Sequence, residues 1–116
     1  IEGDSFLLVH AGIHPIEGLP GTTTEQFLTI RTWPPTDGIL GPRWHDAMTP
    51  PTHYSIIFGH DAPGGLVVKH LSEADRAWAV GLDSGCIYGG ELSAYLYEED
   101  RIVQIPSQQD STRRWR

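Results

Sequence analysis

Apolar residues along the chain gather in short blocks, each of strand length and each cut off by glycine, histidine or proline. Ser5 to Val9 (SFLLV) is the first and stops at His10-Ala11-Gly12. A Pro- and Gly-rich loop follows from His14 to Gly21. Thr22 to Glu25 then has the form of a capping box, and Phe27, Leu28 and Ile30 predict a helix of about two or three turns, ended by Trp33-Pro34-Pro35. Residues 36–53 read as a long irregular segment carrying Arg43-Trp44-His45-Asp46. Tyr54 to Phe58 (YSIIF) is a second apolar strand, broken by Gly59-His60-Asp61. Gly64 to Val68 predicts a turn and a short strand, Leu71 to Trp78 a helical turn or surface loop, and Ala77 to Leu82 another apolar run. Gly89-Gly90, between two β-like runs, predicts a tight hairpin turn. Leu92, Ala94 and Leu96 then alternate with Ser93, Tyr95 and Tyr97, the pattern of a half-buried strand. Glu98-Glu99-Asp100 is a charged turn before a last strand from Arg101 to Pro106, and residues 107–116 are a polar tail expected to be disordered. The sum is an α/β domain with a strand-rich C-terminal half.

Composition narrows what such a domain does. Its 116 residues suffice for one small domain or part of a larger one, and the opening Ile1, in place of Met, reads as a piece of a longer protein. Any targeting segment would then lie upstream, so location stays open, with cytoplasm and vacuole both compatible. A formal charge of −7 with only eight Lys plus Arg argues against a nucleic acid polymer as partner, which needs a basic surface. It leaves room for a small anionic substrate, because a metal ion supplies positive charge locally. The single cysteine, Cys86, rules out an internal disulfide and has no basic neighbour to activate it, so it reads as a small buried packing residue. No apolar run approaches the ~18 residues of a membrane span.

Two histidines share one setting. His10 stands where the strand Leu7-Leu8-Val9 breaks, and His60 where Ile56-Ile57-Phe58-Gly59 ends. A strand end is rigid, a small neighbour lets a ligand approach, and imidazole is a common ligand of Zn, Fe or Mn. If the two strands are neighbours ending at one sheet edge, the rings meet. The bland alternative is two hydrogen-bonding or capping histidines. A catalytic metal also needs about three protein ligands, and two possible extras, His14 and His45, lie in loops. Arg31 and Arg43 are candidate phosphate clamps, since a guanidinium fork matches phosphate oxygens, though either could be a surface arginine. Asp83 either orients a histidine or caps a turn.

The ordered phrases carry more than any single residue. Leu8-Val9-His10-Ala11-Gly12-Ile13-His14-Pro15, then Ile57-Phe58-Gly59-His60-Asp61, then Gly81-Leu82-Asp83-Ser84-Gly85-Cys86-Ile87-Tyr88-Gly89-Gly90-Glu91-Leu92-Ser93-Ala94 resemble, in order and spacing, three stretches of the calcineurin-like metallophosphoesterase superfamily. The nearest subgroup is the symmetrical diadenosine-tetraphosphatase type with its fungal relatives, zinc-dependent endopolyphosphatases among them. The resemblance implies that residues 1–106 are the C-terminal part of a metallophosphatase β-sandwich flanked by helices. It implies two divalent or trivalent metal ions (Zn, Mn or Fe), with His10 and His60 as ligands of one of them. It implies that Arg31, Arg43 and Asp61 lie at the phosphate, and that Gly12, Asp83, Gly85, Gly89 and Gly90 are structural. The implied substrate is phosphorylated: a dinucleoside polyphosphate, polyphosphate or phosphoprotein. The family's "GDxHG", "GDxVDRG" and "GNHE" stretches are missing, so these 116 residues hold about half of such a site. The alternative is a truncated or degenerate relative that keeps the fold as a non-catalytic binding module.

Overall fold

The computed structural model describes residues 5–108. Its centre is a four-stranded sheet in the order β1-β2-β4-β3, built from β1 (Phe6–Leu8), β2 (Ser55–Phe58), β3 (Val67–Lys69) and β4 (Ala79–Gly81). β1, β2 and β4 are mutually parallel and β3 is antiparallel to β4. Parallel strands covered on both faces read as continuous apolar runs rather than alternating ones, and the central strands do so: Ile56, Phe58, Ala79 and Val80 are all buried. Their C-terminal ends all lie at one edge of the sheet, the edge at which open α/β sheets hold ligands.

The core grows on that sheet. Leu7, Ile56, Phe58 and Ala79 meet Ala11, Ile13, Ile30, Trp44 and Trp78. Trp44 is 1% exposed and comes from the segment between β1 and β2. Gly12 exists to admit it, because a Cβ at that position would stand 2.5 Å from the Trp44 indole. The glycine beside His10 is therefore filled by packing and is not open space for a ligand. Truncating a ring buried this completely costs about 3–5 kcal/mol.

One α-helix, α1 (Thr24–Thr29), stands between the first two strands among the described residues. Its capping box lies one residue later than the sequence suggests: Thr23 and Gln26 exchange the two bonds. Thr22 is occupied elsewhere, its hydroxyl accepting from the His14 N–H at 2.9 Å and donating to the Gly18 carbonyl at 2.7 Å. The expected flanking helices are otherwise short 3-10 turns, at Pro35–Leu40, Trp44–Asp46 and elsewhere, and residues 71–75 form bends and turns without a strand or helix.

The hairpin is not where Gly89-Gly90 suggests. β5 (Glu91–Leu96) pairs antiparallel with β6 (Arg101–Pro106) across the turn Tyr97–Glu99 and Asp100. Gly89 instead ends the 3-10 turn Cys86–Tyr88 at φ 92°, and Gly85 begins it at φ 77°, two positions that favour glycine. Gly90 has no room for a side chain, since a Cβ would stand 2.2 Å from the Ser84 carbonyl oxygen. Cys86 in this turn is half-buried rather than buried, and Asp83 caps it by accepting from the Gly85 N–H at 3.2 Å.

The hairpin's faces are also the reverse of the pattern. Leu92 and Ile105 face each other across the ladder, each 59% exposed, whereas Tyr95 and Tyr97 face the sheet. Aromatic area and hydrogen bonds win that side: Tyr97 stacks edge-on against Phe6 at 5.3 Å, its hydroxyl donates to the Ser5 carbonyl at 3.1 Å, and Arg76 lies over its ring at 4.3 Å. The polar tail begins later than residue 107, because the Ser107 N–H donates to the Gly90 carbonyl at 2.8 Å; residues 109–116 lie outside the described residues. Among the described residues no helix is long and apolar enough to cross a membrane.

Candidate functional site

The ends of β1 and β2 deliver the two histidines to one place. Their ring centroids are 5.0 Å apart. Register alone would not do this. Leu8 pairs with Ile57, so His10 continues into register with Gly59, whose N–H donates to the His10 carbonyl at 2.9 Å. His60 is one position further, and successive strand residues point to opposite faces. A tight turn corrects the parity: the Asp61 N–H closes on the Gly59 carbonyl at 2.8 Å, with His60 between them at φ 69°. This left-handed backbone is costly for a histidine, and it swings the ring back beside that of His10.

The Thr29 backbone stands near the His60 ring and pulls its pKa upward, while the His60 Nε2 is buried with no hydrogen-bond partner among the described residues. A buried ring nitrogen without a hydrogen-bond partner is the setting a ligating histidine needs. Burial, then Arg31 and His10, depress the His60 pKa against the opposing pull of Asp61 and the Thr29 backbone. The neutral, ligand-competent form is thereby favoured. The His60 Nε2 and the neighbouring His10 ring fit part of a metal's donor set. Among the described residues no cluster of three His, Cys, Asp or Glu completes it. His14, one possible extra, is committed elsewhere: its Nδ1 accepts from the Ile16 and Glu17 N–H groups at 3.1 and 3.0 Å. His45, the other, is buried against Trp44 and Phe58.

Behind His60 lies an ion cluster that joins three distant stretches of sequence. Asp61 is 5% exposed. Its Oδ2 lies 3.0 Å from Arg43 Nε, its Oδ1 3.8 Å from Arg31 Nε, and Oδ1 also accepts from the Gly64 N–H at 3.1 Å. Burial raises the Asp61 pKa, and Arg43, the Gly64 N–H and Arg31 pull back part of that rise. Arg31 also donates from Nη2 to the His60 carbonyl at 3.4 Å, and Arg43 from Nη1 to the Ile39 carbonyl at 2.6 Å. The structure thus brings His10, Arg31, Arg43, His60 and Asp61 together and leaves Gly85, Gly89, Gly90 and Asp83 in the 3-10 turn that follows β4. One contributor escapes a sequence reading, Gly64, where a Cβ would collide with Asp61 Oδ2 at 2.2 Å. The Pro63-Gly64-Gly65 run was its only signal, and it says turn rather than site.

No protein-family model matches the chain. It is 42% identical over 55 residues to the symmetrical bis(5'-nucleosyl)-tetraphosphatase of Baumannia cicadellinicola subsp. Homalodisca coagulata, a match covering 47% of this chain and 17% of that protein. It is 32% identical to PrpE, the asymmetrical bis(5'-nucleosyl)-tetraphosphatase of Halalkalibacterium halodurans, over 91% of this chain and 42% of that one. A crystal structure of a candidate diadenosine tetraphosphatase superposes with a TM-score of 0.63 at 30% identity, over 84% of this chain and 45% of that one. The chain therefore spans less than half the length of each of these relatives.

Proposed function

We propose, from the premise that this chain belongs to the calcineurin-like metallophosphoesterase family, that it supplies one histidine pair and the arginines of a metal-dependent phosphoanhydride hydrolase. The observation that carries this reading is the convergence of His10 and His60 at 5.0 Å with the His60 Nε2 buried and unpartnered. The names of the relatives favour a dinucleoside polyphosphate over inorganic polyphosphate or a phosphoprotein. The remaining ligands would come from polypeptide beyond these residues, in keeping with relatives more than twice this length.

His10 and His60 would hold one ion through ring nitrogens. Bound there, a divalent metal supplies Lewis-acid polarisation of a phosphoryl oxygen and a water acidic enough to ionise near neutral pH. The chain's own residues do the rest. The turn at His60, with φ 69°, sets the His60 ring beside that of His10. Asp61 acts as a positioning residue: from its buried place it holds Arg31 and Arg43 at the edge where His10 and His60 meet. Arg31 and Arg43 are partly shielded from water, with side chains 24% and 16% exposed, so their charge is screened less than a surface arginine's. They would stabilise the negative charge that builds on the phosphoryl oxygens.

The test uses the full-length polypeptide that carries this segment. Metal content by plasma mass spectrometry, a thermal melt, and hydrolysis of diadenosine tetraphosphate are measured for wild type, His10→Ala and His60→Ala. The expected result is loss of about one metal equivalent per folded molecule and at least ~1,000-fold lower turnover in each variant, with melting temperatures little changed. A full metal complement and near-normal turnover in either variant would overturn the assignment of that histidine.

A further inference from the structure

Arg43 reaches Asp61 from a short turn, and that turn is built on a second buried histidine. Trp44–Asp46 is a 3-10 turn with Arg43 at its N-cap. Two bonds tie its far end to Arg43: the Asp46 N–H donates to the Arg43 carbonyl at 3.0 Å, and the Arg43 N–H donates to Asp46 Oδ2 at 3.2 Å. His45 stands in the middle, 4% exposed. Its ring centroid lies 5.3 Å from that of Trp44 and 5.5 Å from that of Phe58. Both ring nitrogens are buried without hydrogen-bond partners among the described residues. The ring therefore fastens the turn to β2 by packing alone. It does so only while uncharged, because a buried charge without a partner costs far more than a buried neutral ring.

The groups around the ring enforce that neutrality. Lys69 from β3 and Arg43 beside the turn oppose a positive ring, Asp46 favours it, and β2 presents the uncharged ring of Phe58. Asp46 is a weak counterion, since its Oδ1 is 3.8 Å from His45 Nδ1 and is already bonded to Lys69. Burial first, then these cations, bring the ring's pKa from 6.5 to about 4. Released to solvent, the ring takes a proton near 6.5. The turn is therefore fully held above that pH and loosens as pH falls toward 4. By linkage the released form gains ~30-fold over the held form by about pH 5. Two routes carry the change to Arg43. The bonds between Asp46 and Arg43 make freeing the turn free the backbone that bears the guanidinium. Arg43 also weakens proton binding at His45, so a proton at His45 weakens the hold on Arg43 by the same amount.

We propose that His45 is a positioning residue for the phosphate site: its neutral, buried ring anchors the turn that sets Arg43 on Asp61, and a proton on it in mild acid releases the turn and withdraws Arg43. The proposal rests on the reading of Arg43 at the phosphate. The test uses the Mn²⁺-loaded full-length protein at about pH 7.5 and about pH 5. Hydrogen exchange is followed at the Asp46, Ala47 and Ile56 amides, and kcat/KM is measured for diadenosine tetraphosphate. Wild type is compared with His45→Phe, which keeps an uncharged ring, with His45→Gln, which fills less of the pocket, and with Arg43→Ala alone and combined with His45→Phe. On acidification wild type should lose at least ~10-fold more protection at Asp46 and Ala47 than either His45 variant, and at least ~3-fold more of its kcat/KM. Ile56, whose N–H donates to the Trp78 carbonyl at 2.7 Å, should keep its protection. In the Arg43→Ala background, His45→Phe should no longer change the acid response. Equal acid responses of wild type and both His45 variants would overturn the proposal, as would loss of protection at Ile56 in step with Asp46, which is global unfolding. Extra exchange without extra loss of turnover, in a protein that needs Arg43, removes the positioning role and leaves Arg43 at the phosphate. An Arg43→Ala protein as active as wild type removes Arg43 from the phosphate, and the positioning role with it.

Discussion

Among the described residues two that are not glycine have positive φ, His60 at 69° and Asp100 at 49°. They sit at opposite kinds of place. Asp100 closes the β5–β6 hairpin, and its carboxylate is fully engaged: Oδ1 accepts from the Tyr95 hydroxyl at 2.6 Å and the Ala77 N–H at 3.0 Å, and Oδ2 meets His70 Nε2 at 2.8 Å. Partial burial works to raise its pKa, yet the bonds from Tyr95, Ala77 and His70 prevail and hold it below the ordinary carboxylate value. Local hydrogen bonds offset the strain there, and they tie the hairpin to the sheet. His60 has the same backbone penalty with the opposite outcome, because its Nε2 is buried without a hydrogen-bond partner among the described residues. Strain that the fold compensates locally belongs to architecture. Strain left uncompensated beside an orphaned nitrogen belongs to a site whose partner comes from outside.

If that distinction is right, perturbing the two regions should give different ledgers. The largest effect should come from Asp61→Ala, which strips the buried anion from Arg31 and Arg43. Leaving partly buried charges unpaired costs about 3–5 kcal/mol, measurable by denaturant melts. A change below ~1 kcal/mol would mean that the ion cluster is not what holds the arginines. Next is the protonation of His45, whose two ring nitrogens are likewise buried without hydrogen-bond partners among the described residues. Burial above all, then Lys69 and Arg43, lower its pKa to about 4, with Asp46 opposing. The unfolded chain binds this proton near pH 6.5 and the folded one only near 4, so stability is full above pH 6.5 and falls as pH drops through that window. The expected loss is about 3 kcal/mol. His45→Phe should flatten this part of the profile, and an unchanged slope would relocate the titration to another group.

Asp100→Ala should come third, costing about 2 kcal/mol for the lost hydrogen bonds, with metal content and turnover of the full-length protein unchanged. Loss of metal in that variant would erase the contrast between the two regions. The smallest effect has the opposite sign. His60→Gly relieves the backbone and removes the orphaned nitrogen, and should stabilise the fold by about 1 kcal/mol while abolishing activity. Destabilisation on this change would show that the histidine serves the fold after all.

The parts legible in the sequence were those written in contiguous blocks. YSIIF announces a strand because a parallel central strand needs no alternation, SFLLV announces the edge strand beside it by its strand-length apolar run, and the break at Gly59 marks where the central one ends. The meeting of His10 and His60 was legible because both histidines follow such blocks. The hairpin was misread because a Gly-Gly pair signals positive φ but not which turn needs it; here a 3-10 turn claims Gly89, close packing claims Gly90, and an aspartate makes the hairpin corner. The alternation of Leu92, Ala94 and Leu96 was legible as a strand but not in its facing, since a tyrosine with a hydrogen-bonding tip buried more profitably than a leucine. The burial of Asp61 was invisible, because its compensating charges lie on residues far away in the chain.

The turn that re-aims His60 has one more consequence. Because the ring reaches His10 by a correction of parity and not by register, the spacing between Phe58 and Asp61 matters more than most side chains near it. Inserting or deleting a single residue there would send the imidazole to the other face of the sheet with every donor still encoded. Variation by substitution can explore this edge of the molecule in small steps, whereas variation in length can cross it only by losing the site at once. A collection of variants built by shuffling segments should keep its joints out of residues 58–61 and place them in the turns at 71–75, which belong to no strand or helix.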